Sequence, residues 1–199
     1  MIIEGLFLQT FLFLYPGDRK EKLTIKSKKM KKVFAILAVL IFSKLSYAQN
    51  IRGTSNTAAI RKIINSFTQA IIKKDSATLA SLFANTPITF VSIQCAQTFA
   101  YLKKKDPSTP FQSIVNYKDF ISYIAQTKDQ VEEKMYNVRI RTDGSVASLS
   151  SEYSFWCNSE KVNWGQENWE LIFNGTDWKI AAIVWSDNLE VVEKEPVKS

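Results

Sequence analysis

Apolar and polar residues alternate almost strictly through the last quarter of this chain, from Ser145 to Asn188. In residues 146–158, Leu149, Tyr153, Phe155 and Cys157 share one parity and Ser150, Glu152 and Ser154 the other. That is the period of a strand with one buried face. Asn158-Ser159-Glu160-Lys161 reads as a turn, and residues 162–173 as a second strand. Asn174-Gly175 is a strong hairpin signal, because both residues tolerate positive φ. Residues 178–187 form a third strand. The pattern predicts an antiparallel meander rich in tryptophan.

Upstream the period changes. Ile60, Ile63, Ile64, Phe67 and Ile71 recur at the spacing of one helix face. Lys73 and Lys74 end that helix with cations near the negative end of its dipole. Asp75 can cap a second, short helix carrying Leu79, Leu82 and Phe83, which Pro87 stops. Residues 88–93 are β-branched and aromatic and predict a strand. Residues 96–102 could extend a hairpin, and 103–107 read as a solvated loop. Phe120, Ile121 and Ile124 mark a third helix over 117–127. Residues 133–141 predict a strand that turns at Asp143-Gly144 into the meander. The order is helix, helix, strand, helix, then four antiparallel strands: an α+β domain with a curved antiparallel sheet packed on three N-terminal helices.

The 199 residues suit one domain and a leader. The formal charge of +7 suggests a nucleic-acid or membrane surface, but the leader holds it. Residues 1–48 contain nine of the 26 Lys/Arg and three of the 19 Asp/Glu, leaving 17 and 16, a net +1, for the body. No clustered basic footprint remains there, so nucleic acid is not an expected partner. Residues 30–48 read as a signal peptide: Lys31-Lys32, an apolar run of ten from Val33 to Phe42, then Ser46-Tyr47-Ala48. That run is too short to span a bilayer. Residues 1–29 read as an upstream or mis-started segment, with a second membrane segment as the alternative. Residues 49–56 are a linker, 57–190 the domain and 191–199 a tail. The expected protein is exported, periplasmic or secreted, with no membrane association after cleavage.

AIRKIINSFTQAIIKKDSATLASLF resembles the opening helix pair of the nuclear transport factor 2-like superfamily. VASLSSEYSFWCNSEKVNWGQENWELIFNGTDWKIAAIVWSDN resembles its closing meander, with Trp178-Lys179-Ile180 matching the final strand. Within the superfamily the chain is closest to exported bacterial SnoaL-like proteins named for lumazine binding. Tyr153-Ser154-Phe155-Trp156 matches one element of their meander. Val162-Asn163-Trp164-Gly165 matches another, with Asn163 in place of a histidine. The resemblance implies a cystatin-like cone whose sheet curls over its helices around a cavity. It is weak for function, since the superfamily hosts isomerases, cyclases, dehydratases and plain binding modules.

Pairing Asn158 with Lys161 and Phe173 with Trp178 sets the expected faces. An odd-length loop at Asn174 would swap the last strand. The concave face then carries Tyr153, Phe155, Trp164, Gln166, Asn168 and Trp185 as candidate ligand-binding residues. Trp169, Leu171, Phe173, Trp178, Ile180 and Val184 fall on the convex face, an apolar patch that predicts a homodimer. There is no histidine, which removes His-based triads and most transition-metal sites. No metal or cofactor is expected. Carboxylate chemistry remains, with Asp187 as the candidate catalytic residue and Glu170 or Glu167 as other bases if buried. Cys95 and Cys157 permit a bridge, with two free thiols as the expectation. Two functions stay open: a non-catalytic binder of a small, flat, partly apolar molecule, and a carboxylate-dependent isomerase, cyclase or hydrolase. The leader carries its own prediction. N-terminal sequencing of the protein from its native host should begin at Gln49, and an intact Met1 or Met30 would refute export.

Overall fold

The computed structural model describes residues 56–196. The expectations for 1–29, for the signal peptide at 30–48 and for nearly all of the 49–56 linker lie outside the described residues. Among those described, no helix is long and apolar enough to cross a membrane.

Helix α1 covers 56–73, and its Ile60, Ile64, Phe67 and Ile71 are buried. It stops at Lys74, whose φ of 56° is the left-handed conformation common after a helix C-terminus. Lys74 Nζ donates to the Thr127 carbonyl at 2.7 Å. Helix α2 is Ser76–Leu82, with the Asp75 side chain accepting from Thr78 N at 2.9 Å. Strand β1 is Thr89–Gln94. Residues 96–105, read as hairpin and loop, are helix α3, Ala96–Lys105. Lys103, Lys104 and Lys105 fill its last turn, where cations oppose the dipole. The buried Thr98 accepts through Oγ1 from Leu189 N and so fixes α3 to the end of the last strand. The three-residue strand β2, Gln112–Ile114, carries no periodic signal. Helix α4 is Tyr117–Gln126, with Asn116 as its cap.

The meander is β3 (Val131–Thr142), β4 (Val146–Cys157), β5 (Glu160–Phe173) and β6 (Trp178–Leu189). The six strands form one curved, open sheet in the order β2-β1-β6-β5-β4-β3. Strand β1 runs parallel to β6; the other neighbours are antiparallel. Four helices rather than three are therefore present among the described residues, with α1, α2 and α4 lending side chains to the core on the concave side.

Two bulges correct the expected register. Asn158 and Ser159 form a two-residue turn, both at positive φ, that pairs Cys157 with Glu160. Between Trp156↔Lys161 and Phe155↔Asn163 strand β5 inserts Val162. One extra residue reverses which face every later side chain occupies. Phe155 thus faces Asn163, not Trp164, and the odd-numbered residues of β5 turn inward. Phe173 does pair with Trp178, but Ala181 is inserted between Leu171↔Ile180 and Glu170↔Ala182. Trp178 and Ile180 therefore share the inner face with Ile183 and Trp185.

The apolar patch expected on the outside is consequently core. Trp169, Leu171, Trp178 and Ile180 are buried; only Phe173 and Val184 of that set are exposed. The Phe67 ring meets Trp169 edge-on at 4.9 Å between centroids and stacks on Phe120 at 6.1 Å. The surface proposed for a homodimer does not exist as drawn.

This register predicts a pattern of stabilities. Trp169→Ala should cost about 3–5 kcal/mol, while Gln166→Ala and Asn168→Ala on the outer face should stay within about 0.5 kcal/mol. Gly165→Ala should cost about 2 kcal/mol or more, because a Cβ there would lie 2.1 Å from the Ser186 carbonyl oxygen. Urea unfolding of the four variants checks this; the opposite ranking of Trp169 and Gln166 would restore the unbulged register.

Candidate functional site

Inside the cone, between the helices and the meander, lies a cavity of about 200 Å³. Helices α1 and α4 contribute Phe67, Phe120 and Tyr123, and β1 contributes Phe90. The sheet contributes Glu133 from β3, Tyr153 and Phe155 from β4, Asn163 and Glu167 from β5, and Trp185 from β6. Phe90 and Trp185 lie 4.8 Å apart between ring centroids. Seven of the ten lining residues are aromatic, and the polar groups are two carboxyls, an amide and the phenols of Tyr123 and Tyr153.

Three expected ligand-binding residues, Tyr153, Phe155 and Trp185, do line this cavity. Trp164, Gln166 and Asn168 do not. The Val162 bulge sends them to the outer face, where Gln166 and Asn168 are exposed and Trp164 donates Nε1 to the Glu193 carbonyl at 2.9 Å. Glu170 is exposed for the same reason. The bulge brings Asn163 and Glu167 inward instead.

Asp187, the expected catalytic carboxylate, is not a lining residue. It sits behind the wall as an acceptor: Asn163 Nδ2 donates to Oδ1 at 2.8 Å and Gln94 Nε2 to Oδ2 at 3.3 Å. Asn163 thereby presents its amide oxygen, which has no partner. The Tyr153 hydroxyl donates to the Ser186 carbonyl at 3.0 Å. Burial, followed by the carboxylates of Asp187, Glu167 and Glu133, pushes the phenol well above its ordinary range, so it stays a donor. Gly165, facing Ser186, leaves the room for this close approach of β6.

Glu133 and Glu167 are the chemically distinctive groups. They are 8% and 5% exposed, and Glu133 Oε1 and Glu167 Oε2 reach no hydrogen-bond partner. Desolvation lifts Glu167 to about 7, with the Trp169 indole drawing it slightly back. Desolvation, then repulsion from Glu167, lifts Glu133 well above the carboxylate range. Glu133 was missed in the sequence because it opens a strand among charged neighbours, Glu132 and Lys134. Glu167 was considered only as a base if buried. Cys95 and Cys157 are free thiols.

No protein-family model matches the chain, and no curated protein does. The solved structures do. A variant of Rv3472 from Mycobacterium tuberculosis, whose function is unknown, gives a TM-score of 0.52 at 13% identity over 72% of this chain and 83% of that one. A nuclear transport factor 2-like protein from Pseudomonas putida gives 0.50 at 11% identity, over 72% and 94% of the two chains. A proposed dehydratase of the same type from Streptomyces avermitilis gives 0.50 at 14%, over 68% and 98%. At these identities the likeness establishes the fold, which is nuclear transport factor 2-like.

The raised Glu167 makes stability depend on pH. Below about 4.5 both folded and unfolded states hold the proton. Between about 4.5 and 7 the folded state keeps a proton that the unfolded chain releases, so raising the pH removes stability. The loss should total about 3 kcal/mol. Glu133 extends the decline to higher pH. The exposed Asp75, Asp106 and Asp143 are lowered, chiefly by hydrogen bonds from Thr78, Ser108 and Val146, and titrate below this window. Urea midpoints between about pH 5 and 7 should fall, and Glu167→Gln should flatten the slope; an unchanged slope in that variant would contradict the assignment.

Proposed function

We propose that this protein holds a small, flat, partly apolar molecule in its aromatic cavity. One observation carries the reading: seven aromatic side chains line a cavity whose wall also holds two carboxyl groups and an amide, each with one buried oxygen that meets no partner among the described residues. A structural core would have no reason to keep them, since an unpaired buried polar group costs about 1–3 kcal/mol. Apolar walls with a few convergent polar groups are the ordinary make-up of a ligand site. The volume slightly exceeds the ~150 Å³ that accommodates benzene, so one substituted ring fits.

A second reading is favoured by one specific feature. Glu167, held near 7, can give or take a proton at neutral pH beside a more strongly held Glu133. Acid–base chemistry on the bound molecule, as in an isomerase, cyclase or hydrolase, uses a positioned group that exchanges its proton near the working pH. The proposed dehydratase of this fold is compatible with it but carries no residue across at its low identity. Export, argued from the leader, would place either activity outside the cytoplasm.

Native mass spectrometry of the full chain from its source cells should show a retained small molecule. Trp185→Ala should lose it while far-ultraviolet dichroism is kept. A protein that carries no added mass, and whose tryptophan fluorescence responds to no small aromatic compound, would reduce the cavity to a packing defect.

A further inference from the structure

The buried, unpartnered polar atoms of the cavity lining are all oxygens. Among the described residues Glu133 Oε1, Glu167 Oε2 and Asn163 Oδ1 meet no donor within hydrogen-bond distance, and the Trp169 indole N–H, itself unpartnered, draws on Glu167 without meeting that distance. The Asn163 orientation is set, because turning its amide over would bring oxygen against the Asp187 carboxylate that now accepts its Nδ2. Among the described residues no Lys or Arg lines the cavity. Lys134 Nζ sits 4.1 Å from the Trp156 ring centroid and 3.4 Å from Glu132, away from it. Aromatic side chains make up the remaining wall, and their faces carry negative potential.

We propose that the ligand of this cavity is an organic cation: an ammonium, amidinium or guanidinium group on a single apolar ring, its N–H donors met by Glu133, Glu167 and the Asn163 amide oxygen. This rests on the small-molecule reading above and names the ligand class for it. Ionised together, the two carboxyls would repel each other, and a cation between them supplies both charge and hydrogen bonds. A neutral ligand supplies at most the hydrogen bonds, and an anion adds repulsion. Asp187 is a positioning residue, because it aims the Asn163 oxygen into the cavity without lining it.

Binding has a proton balance. The empty pair holds protons, and a bound cation replaces them, so protons leave to the buffer. The titratable groups that line the cavity with the pair are Tyr153 on β4 and Tyr123 on α4, while Asp187 on β6 and Cys95 act on Tyr153 from behind the wall. Glu133 also lines a neighbouring groove together with Arg61 and Lys134. None of the groups lining the cavity itself carries a positive charge that could substitute for the ligand.

The test is calorimetry of the full chain near about pH 6 in buffers of different ionisation enthalpy. The probes are benzylamine, benzamidine, benzyl alcohol and benzoate. The two cations should bind at least about tenfold tighter than benzyl alcohol, with benzoate weakest. Their binding should release protons, and benzylamine should bind more tightly as pH rises towards about 7. Glu133→Gln and Glu167→Gln should each weaken the cations about tenfold and leave benzyl alcohol within about threefold. Should Glu133→Gln fail to fold, Glu167→Gln and the proton release of the unaltered protein carry the test. Benzyl alcohol or benzoate binding as tightly as the cations, or proton uptake, would overturn the cation assignment and leave the cavity a binding site. No binding by any of the four at millimolar concentration would overturn both.

Discussion

A single inserted residue, Val162, controls the inner surface of this protein. A strand presents alternate residues to opposite faces, so one extra residue exchanges the two sets from there on. With it, Trp169 and Leu171 enter the core, and Glu167 enters the cavity wall. Without it, Gln166, Asn168 and Glu170 would be driven against Phe67, and Trp169 would lie in water. The arrangement is self-consistent in energy, because the bulged register buries the large apolar side chains of β5. The second bulge, at Ala181, keeps Trp178 and Ile180 on the same side as Ile183 and Trp185. Bulges also bend and twist a sheet, and a sheet that curls over its helices leaves a hollow between them.

What the hollow contains is unusual for a core. The aromatic walls make it apolar, and an apolar surrounding is what disfavours charge on Glu133 and Glu167. The same groups would be unremarkable on the outer face. Their proximity to each other adds repulsion, so the pair stores an electrostatic cost that protons or a ligand can relieve. The fold tolerates this cost because its core elsewhere is extensive, from Ile60 on α1 to Leu171 on β5.

Around the pair, the polar groups are arranged in depth. Asp187 lies behind the wall and orients two amides, Asn163 and Gln94, by accepting from both. Tyr153 is tied to the Ser186 backbone, and Gln166 N to the Ser186 hydroxyl. Gly165 is the only residue type that admits this approach without collision. The consequence is a fixed inner surface in which direction, rather than mere composition, determines what can bind.

Local pattern was enough for most of the fold. The isoleucine and phenylalanine spacing of α1, the Asp75 cap, the α4 face and the four meander strands follow from period and turn chemistry, which are properties of neighbouring residues. The resemblance to nuclear transport factor 2-like proteins rests on the same residues and is matched by the observed fold. On β4 and the far half of β6 the inward faces were also legible, so Tyr153, Phe155 and Trp185 were identified as cavity residues. Helix α3 and strand β2 were not, because their stability comes from docking on β6 and β1 rather than from a periodic signal. Nor were the bulges. Their cost and benefit are settled by packing across strands, with Trp169 against Phe67 on one side and Gly165 against Ser186 on the other. That choice moved Trp164, Gln166 and Asn168 outward, buried the expected dimer patch, and brought Asn163, Glu167 and Glu133 together. Sequence determined which strands exist; only tertiary contact determined which way β5 faces, and with it the chemistry of the cavity.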